Sequence, residues 1–226
     1  MHDTTHPTGR TAALWLGTGA ALLAAALVFH GPIDTDLSVQ MQHIAEGHSR
    51  WAMVHWTAAT ALFLLSGAGF LTLFGRAEGA PATGHPGAWM VMALGALTTF
   101  STAVAEAAVV SAAARTGDQA AFNVWWDFSG GMANGFFALA LAAGLIAWAD
   151  FRAEAGRLPK WASMAGTAAG FLSAAGWSLG QHFGIWIGGP LWLFATLAMC
   201  LWLAWFGFAA RIAAPQARQA VAQTSS

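Results

Sequence analysis

Charge is what this chain has least of. Only 8% of its 226 residues are Asp, Glu, Lys or Arg, against about 25% in a soluble domain. Nine Lys+Arg against ten Asp+Glu leave a net charge of −1. Without a basic surplus there is no electrostatic footprint for nucleic acid. A single cysteine, Cys200, excludes an internal disulfide, a CxxC redox pair and a thiolate metal cage. A single lysine, Lys160, sits at the edge of an apolar stretch and excludes a buried Schiff base to a retinal-type chromophore. Tyrosine is absent altogether. What fills the chain is apolar: 57% hydrophobic residues, with 13 Trp and 15 Phe. That inventory is the mark of an all-α integral membrane protein.

A membrane-crossing helix needs about 20 mainly apolar residues. Six stretches qualify, at 11–30, 50–74, 87–113, 120–149, 161–181 and 189–210. Together they predict one six-transmembrane-helix bundle over 11–212, with tails at 1–10 and 213–226. All seven prolines, from Pro7 to Pro215, fall between these stretches or at their edges, where helix breakers belong. Cytoplasmic loops collect Lys and Arg. Arg10, Arg76, Arg152, Arg157, Lys160, Arg211 and Arg218 fall on one side, and only Arg50 and Arg115 on the other. The expected location is therefore the inner (plasma) membrane, multi-pass, with both termini cytoplasmic. The first stretch reads as a retained helix, because only Arg10 precedes it and no clean cleavage site follows.

The loops differ in character. Residues 31–49 form the longest outer connection. Leu37, Met41 and Ile44 share one helical face there, with Asp34 or Thr35 as cap and Gly47 as stop. This predicts a short amphipathic interfacial helix in the first outer loop. The 75–86 segment reads as flexible, and the 150–160 segment as a charged cytoplasmic loop. Trp51-Ala52 and Thr57-Ala58-Ala59 recur as Trp161-Ala162 and Thr167-Ala168-Ala169, the spacing an inverted 3+3 repeat would give. Gly17, Gly130, Gly131, Gly135, Gly166, Gly170, Gly176 and Gly180 mark close helix contacts. Trp51, Trp56, Trp125, Trp126, Trp177 and Trp186 fall in the outer half, as an interfacial belt or as the wall of a pocket.

Polar residues inside the spans carry the functional signal, since ionisable groups at depth are costly and face the bundle interior. Thr99, Thr102 and Glu106 share one face of the third span. Asn123, Asp127, Gly130 and Asn134 share one face of the fourth. At 1.5 Å rise per residue, His55, Glu106 and Asp127 each lie roughly 9–11 Å outward of the middle of their span. Apart from Arg50 at the outer edge of the second, no Lys or Arg lies within any span to pair with the two carboxylates. Each must stay protonated, pair with His55, or take a cation from outside. His30, His43, His48 and His182 gather at the same outer mouth with Glu46. His43, Glu46 and His48 form an HxxExH pattern.

Imidazole with carboxylate suits Zn, Cu, Fe or Mn. The predicted site is a transition-metal pocket near the outer (periplasmic) face. His43, His48, His55, Glu106, Asp127 and His182 would be ligands, and Glu106 and Asp127 acid–base groups. Asn123, Gln181 and Thr102 would stand behind them. The pocket would serve membrane-associated enzymatic or redox chemistry. Haem b held by His182 with His55 or His48 is an alternative cofactor. A serine nucleophile, Ser129 or Ser66, is the weaker enzymatic reading. Two other classes stay open: a small proton- or cation-coupled carrier, and an accessory or assembly subunit of a larger membrane complex. The expected partners are the lipid bilayer and other membrane subunits or further copies of this chain.

Overall fold

The computed structural model describes residues 7–77 and 84–224, with side chains for 8–76 and 84–209. Every regular element among them is helical. They are α1 (Pro7–His30), α2 (Leu37–Glu46), α3 (His48–Ala77), α4 (Pro86–Ala105), a π-helical turn (Glu106–Val110), α5 (Ser111–Thr116), α6 (Gln119–Met132), α7 (Gly135–Arg152), α8 (Lys160–Gln181) and α9 (Gly188–Thr224). The long helices pack in sequence order, α1 on α3, α3 on α4, α4 on α7, α7 on α8 and α8 on α9. The ring closes where α9 returns to α1. One apolar core runs through it, from Leu16 and Leu23 past Leu65 and Met92 to Ile146, Met199 and Phe206.

Among the described residues five stretches are long and apolar enough to cross a membrane: Thr8–His30, His48–Arg76, Pro86–Thr116, Gln119–Arg152 and Gly188–Ala209. α8 has 22 residues but is more polar, for a reason visible in its packing. Its buried face is built from Gly166, Gly170, Ser173 and Gly176, because its neighbours approach closely. A Cβ on Gly170 would stand 2.5 Å from the Gly144 backbone, and one on Gly176 2.4 Å from the Trp192 backbone. Ser173 and Thr196 hydroxyls meet at 2.7 Å across the α8–α9 contact. Small and hydroxyl residues of this kind are how helices meet in lipid. Gly17 and Gly135 are equally crowded, but Gly130 and Gly131 have nothing near them. Those two are not contact glycines.

Several boundaries differ from the sequence expectation. The fourth stretch, expected as one helix over 120–149, is broken at Ala133–Asn134 into α6 and α7. The third passes through the π turn, which the sequence did not announce, and continues as α5 to Thr116. Residues 213–224, expected as a tail, continue α9. Of the 75–86 segment, α3 extends through Ala77, and 78–83 lie outside the described residues. Helix α2 forms over Leu37–Glu46, but its cap is Asp36, whose carboxylate accepts from the Ser38 and Val39 amides. Met41 and Ile44 are buried against Trp51, Val110, Ala113 and Phe122, so α2 is seated on the end of the bundle. Trp51 is buried while Trp161 is 67% exposed, so the two ends of the apparent repeat have different surroundings.

The two ends of the bundle are chemically distinct. One carries His30, His55 and Glu106. The other carries Arg76, Arg152, Arg157 and Lys160. At the arginine end, Arg76 donates to the Gly84 carbonyl, and Lys160 donates to the carbonyls of Phe151 and Ala153. Asp150 there is fully buried.

Candidate functional site

The histidine end is assembled from α1, α3, the π turn and α6. Glu106 opens the π turn and is buried. A π turn inserts an extra residue into a helix, and such insertions are frequent at functional sites. Here it follows a helix face whose other members point inward. Thr99 is buried with its hydroxyl on the Gly95 carbonyl. Thr102 Oγ1 crosses to α6 and donates to the Ser129 carbonyl at 2.9 Å. Ser129, itself buried, donates its hydroxyl to Glu106 Oε1. These two bonds clamp α6 to the π turn.

The second carboxyl oxygen is different. Glu106 Oε2 is buried and makes no hydrogen bond, and the same is true of Trp51 Nε1. The Trp51 indole lies near the carboxyl but makes no hydrogen bond to it. A buried acceptor and a buried donor thus stand near one another without pairing. An unpartnered buried polar group costs about 1–3 kcal/mol. Two at one place make this the least satisfied part of the described interior.

Trp51 also joins the carboxyl to the histidines. Its carbonyl accepts from His55 Nδ1–H at 2.9 Å, and its ring lies 4.4 Å from the His55 ring. His30 stacks edge-on to His55 with ring centroids 5.0 Å apart. His30 Nδ1–H is used in the same way, on the Gly31 carbonyl at 3.0 Å. Carbonyl oxygens only accept, so both Nδ1 atoms carry the proton. Each neutral ring then keeps a lone pair on Nε2. Trp126 stacks on Trp51 from the other side, 6.4 Å away, and Phe122 stacks on Trp126 at 5.5 Å.

Several residues expected at this site stand elsewhere. Asp127 and Asn123 are exposed; Asn123 Oδ1 accepts from Gln119 Nε2 at 2.8 Å. Asn134 is exposed too, though its Oδ1 accepts from Trp177 Nε1 at 3.1 Å. The buried side of α6 is instead Phe122 and Ser129, with Trp126 half-buried. His182 and Gln181 are exposed at the end of α8. His43 is exposed on α2, where Gln42 donates to Glu46 at 2.9 Å. His48 is half-buried at the start of α3, with Nε2 3.3 Å from the Ser49 hydroxyl. The HxxExH pattern therefore spans a helix end and does not fold into one cluster. Among the described residues no three His, Cys, Asp or Glu side chains gather as a metal ion would require. The outer Trp residues split: Trp51 and Trp177 are buried, whereas Trp56, Trp125 and Trp186 are exposed.

Sequence reasoning placed Trp51 and Ser129 in the outer half but gave neither a role beside Glu106. It placed His30 at the outer mouth but not among the ligands. The signal that could have joined them is the i, i+4 spacing of Trp51 and His55, which stacks an aromatic on the buried imidazole. No protein family, curated protein or solved structure matches this chain.

Proposed function

We propose that this chain is a six-span membrane protein whose histidine end carries a one-sided site exchanging a proton for a transition-metal cation. α8 serves as the sixth span, and α2 lies at the membrane interface with Gln42, His43 and Glu46 toward water. By the distribution of Arg and Lys, the arginine end is cytoplasmic and the histidine end faces out. The observation that carries the reading is Glu106 Oε2, buried and unpartnered, and linked through Trp51 to a pair of imidazoles whose Nδ1 atoms are held by backbone carbonyls. A bare carboxylate at that depth is prohibitively costly, so the empty site holds a proton on Glu106. The three side chains are not gathered as a metal ion requires in the metal-free arrangement, so a divalent cation arriving from outside would have to draw a nitrogen from His30 and from His55 and an oxygen from Glu106 together. The displaced proton leaves to water. Backbone carbonyls on Nδ1 orient both rings, the usual support behind a metal-bound imidazole.

Zn, Cu, Fe and Mn suit these donors. Haem b is disfavoured, since His182 and His48 do not stand with His55. The test is calorimetric titration of the detergent-purified protein with each metal in two buffers of different ionisation enthalpy, which counts protons released. One metal bound and close to one proton released, with both lost in His55→Ala and proton release lost in Glu106→Gln, is the expected result. Binding unaffected by both substitutions sinks the proposal.

A second reading, an accessory subunit of a membrane complex, is favoured by one observation. Asp127 and Asn123 are exposed on α6 between exposed Val124, Trp125 and Phe128. A polar group on such a face suits a neighbouring chain better than lipid. Purification in mild detergent with an associated chain, lost in Asp127→Leu, would support it.

A further inference from the structure

At the opposite end of the molecule, an apolar groove of about 180 Å³ opens between α8 and α9. Its floor is Ala162, Gly166 and Trp202, and its rim is Trp161, Leu201 and Trp205. The floor is buried and the rim is exposed. Gly166 is required there: the Trp202 ring lies flat on it, and a Cβ would stand 2.5 Å from the indole. Drug-sized ligands need pockets of roughly 300–1,000 Å³, so this groove suits part of a single acyl chain and not a compact ligand.

Two further observations say what kind of molecule lies in it. Trp202 is 5% exposed and its indole N–H is itself buried, so the groove floor presents an almost wholly apolar surface. The groove also ends in positive charge. Trp202 stacks on Phe206 at 4.9 Å, and the Arg157 guanidinium lies 4.6 Å over the other ring of that stack, Phe206. Lys160 immediately precedes Trp161, and Arg152 ends α7 at the start of the same connection, its guanidinium 6.0 Å over Trp148. All three cations are exposed. The opposing acids are Glu154, which is exposed, and Asp150, which is buried and occupied by the Arg157 and Leu158 amides and the Ser163 hydroxyl.

We infer that the α8–α9 groove is a binding site for one anionic phospholipid of the leaflet at the arginine end. The acyl chain lies between Trp161 and Trp205, and the headgroup phosphate meets Arg157 and Lys160. This site is independent of Glu106 and of the reading given to it.

The test is native mass spectrometry of the full chain in detergent, titrated with dioleoyl phosphatidylglycerol or dioleoyl phosphatidylcholine. One phosphatidylglycerol per chain is expected to be retained in preference to phosphatidylcholine. Arg157→Gln should lower that preference about fivefold, the attraction of one basic residue for an anionic surface. Ala165→Phe places a ring in the groove from an exposed position and should remove retention of both lipids. Because a variant can disturb packing, phosphatidylglycerol with a diazirine in its acyl chain gives a second, wild-type measurement. Crosslinks should map to 161–166 and 198–205. Equal retention of the two lipids, or crosslinks spread evenly over the other helices, overturns the inference.

Discussion

Two carboxyl groups are buried at opposite ends of this bundle, and they are treated in opposite ways. Asp150 has both of its oxygens in use. Its Oδ1 accepts the Arg157 amide at 2.7 Å, and its Oδ2 accepts the Ser163 hydroxyl at 2.6 Å and the Leu158 amide at 3.3 Å. It joins the end of α7 to the start of α8 and fixes the turn between them. Glu106 has one oxygen held by Ser129 and the other left over. The two are alike in burial and differ in the count of satisfied oxygens: a well-paired buried group stabilises, while a half-paired one is costly unless something else uses it.

Breaking that comparison begins with the largest effect. Asp150→Ala removes the acceptor for two amides and one hydroxyl, and should cost about 3 kcal/mol or more, read as a large drop in thermal midpoint in detergent. Ser163→Ala removes one charge-assisted bond and should cost about 1.5–3 kcal/mol. If Asp150→Ala proved as mild as a surface change, the arginine-end account would fail.

At the histidine end the expected sign changes. Glu106→Gln keeps the shape and an acceptor for Ser129, and should move thermal stability by under about 1 kcal/mol while abolishing proton release on metal binding. Asp127→Asn, at an exposed position, should stay within about 0.5 kcal/mol and leave metal binding intact. A loss of metal binding in that variant would restore the aspartate to the site.

The smallest effect concerns α2. Hydrogen bonds from the Ser38 hydroxyl, then from the Ser38 and Val39 amides, hold the Asp36 carboxyl below its ordinary value near 3.8. A lowered value means the cap stabilises the helix above the unfolded value, and that its contribution is lost as pH falls through the folded one. The protection factors of the 38–40 amides, corrected for intrinsic exchange, should therefore fall below pH 3.8 and stay level from there to neutrality.

Much of this architecture is legible in the sequence, because apolar length and proline position are coarse signals. The depth arithmetic brought out His55 and Glu106, since a lone ionisable residue stands out inside an apolar run and is costly to keep there. It failed for Asp127 through helix rotation. The polar stripe Asn123, Asp127, Asn134 lies one residue after Phe122, Trp126 and Ala133, about 100° around the helix. It is the aromatic stripe that turns inward, with Ser129 concealed in it. Ser129 meets Glu106 across 23 positions, and no local pattern encodes such a pairing. The π turn is written in Glu-Ala-Ala-Val-Val, which reads as ordinary helix. Asp150 was read as the first residue of a loop, because a carboxylate beside Arg152 and Arg157 looks solvated until the chain folds back over it.

The central claim is that Glu106 carries a proton which a cation displaces. Infrared difference spectroscopy tests it most directly, by comparing wild-type and Glu106→Gln protein before and after metal addition. The account predicts a protonated-carboxyl C=O band in the metal-free protein, absent from Glu106→Gln and lost from the wild type when metal binds. A metal-free spectrum with no band that depends on Glu106, or a band that metal leaves unchanged, would contradict it.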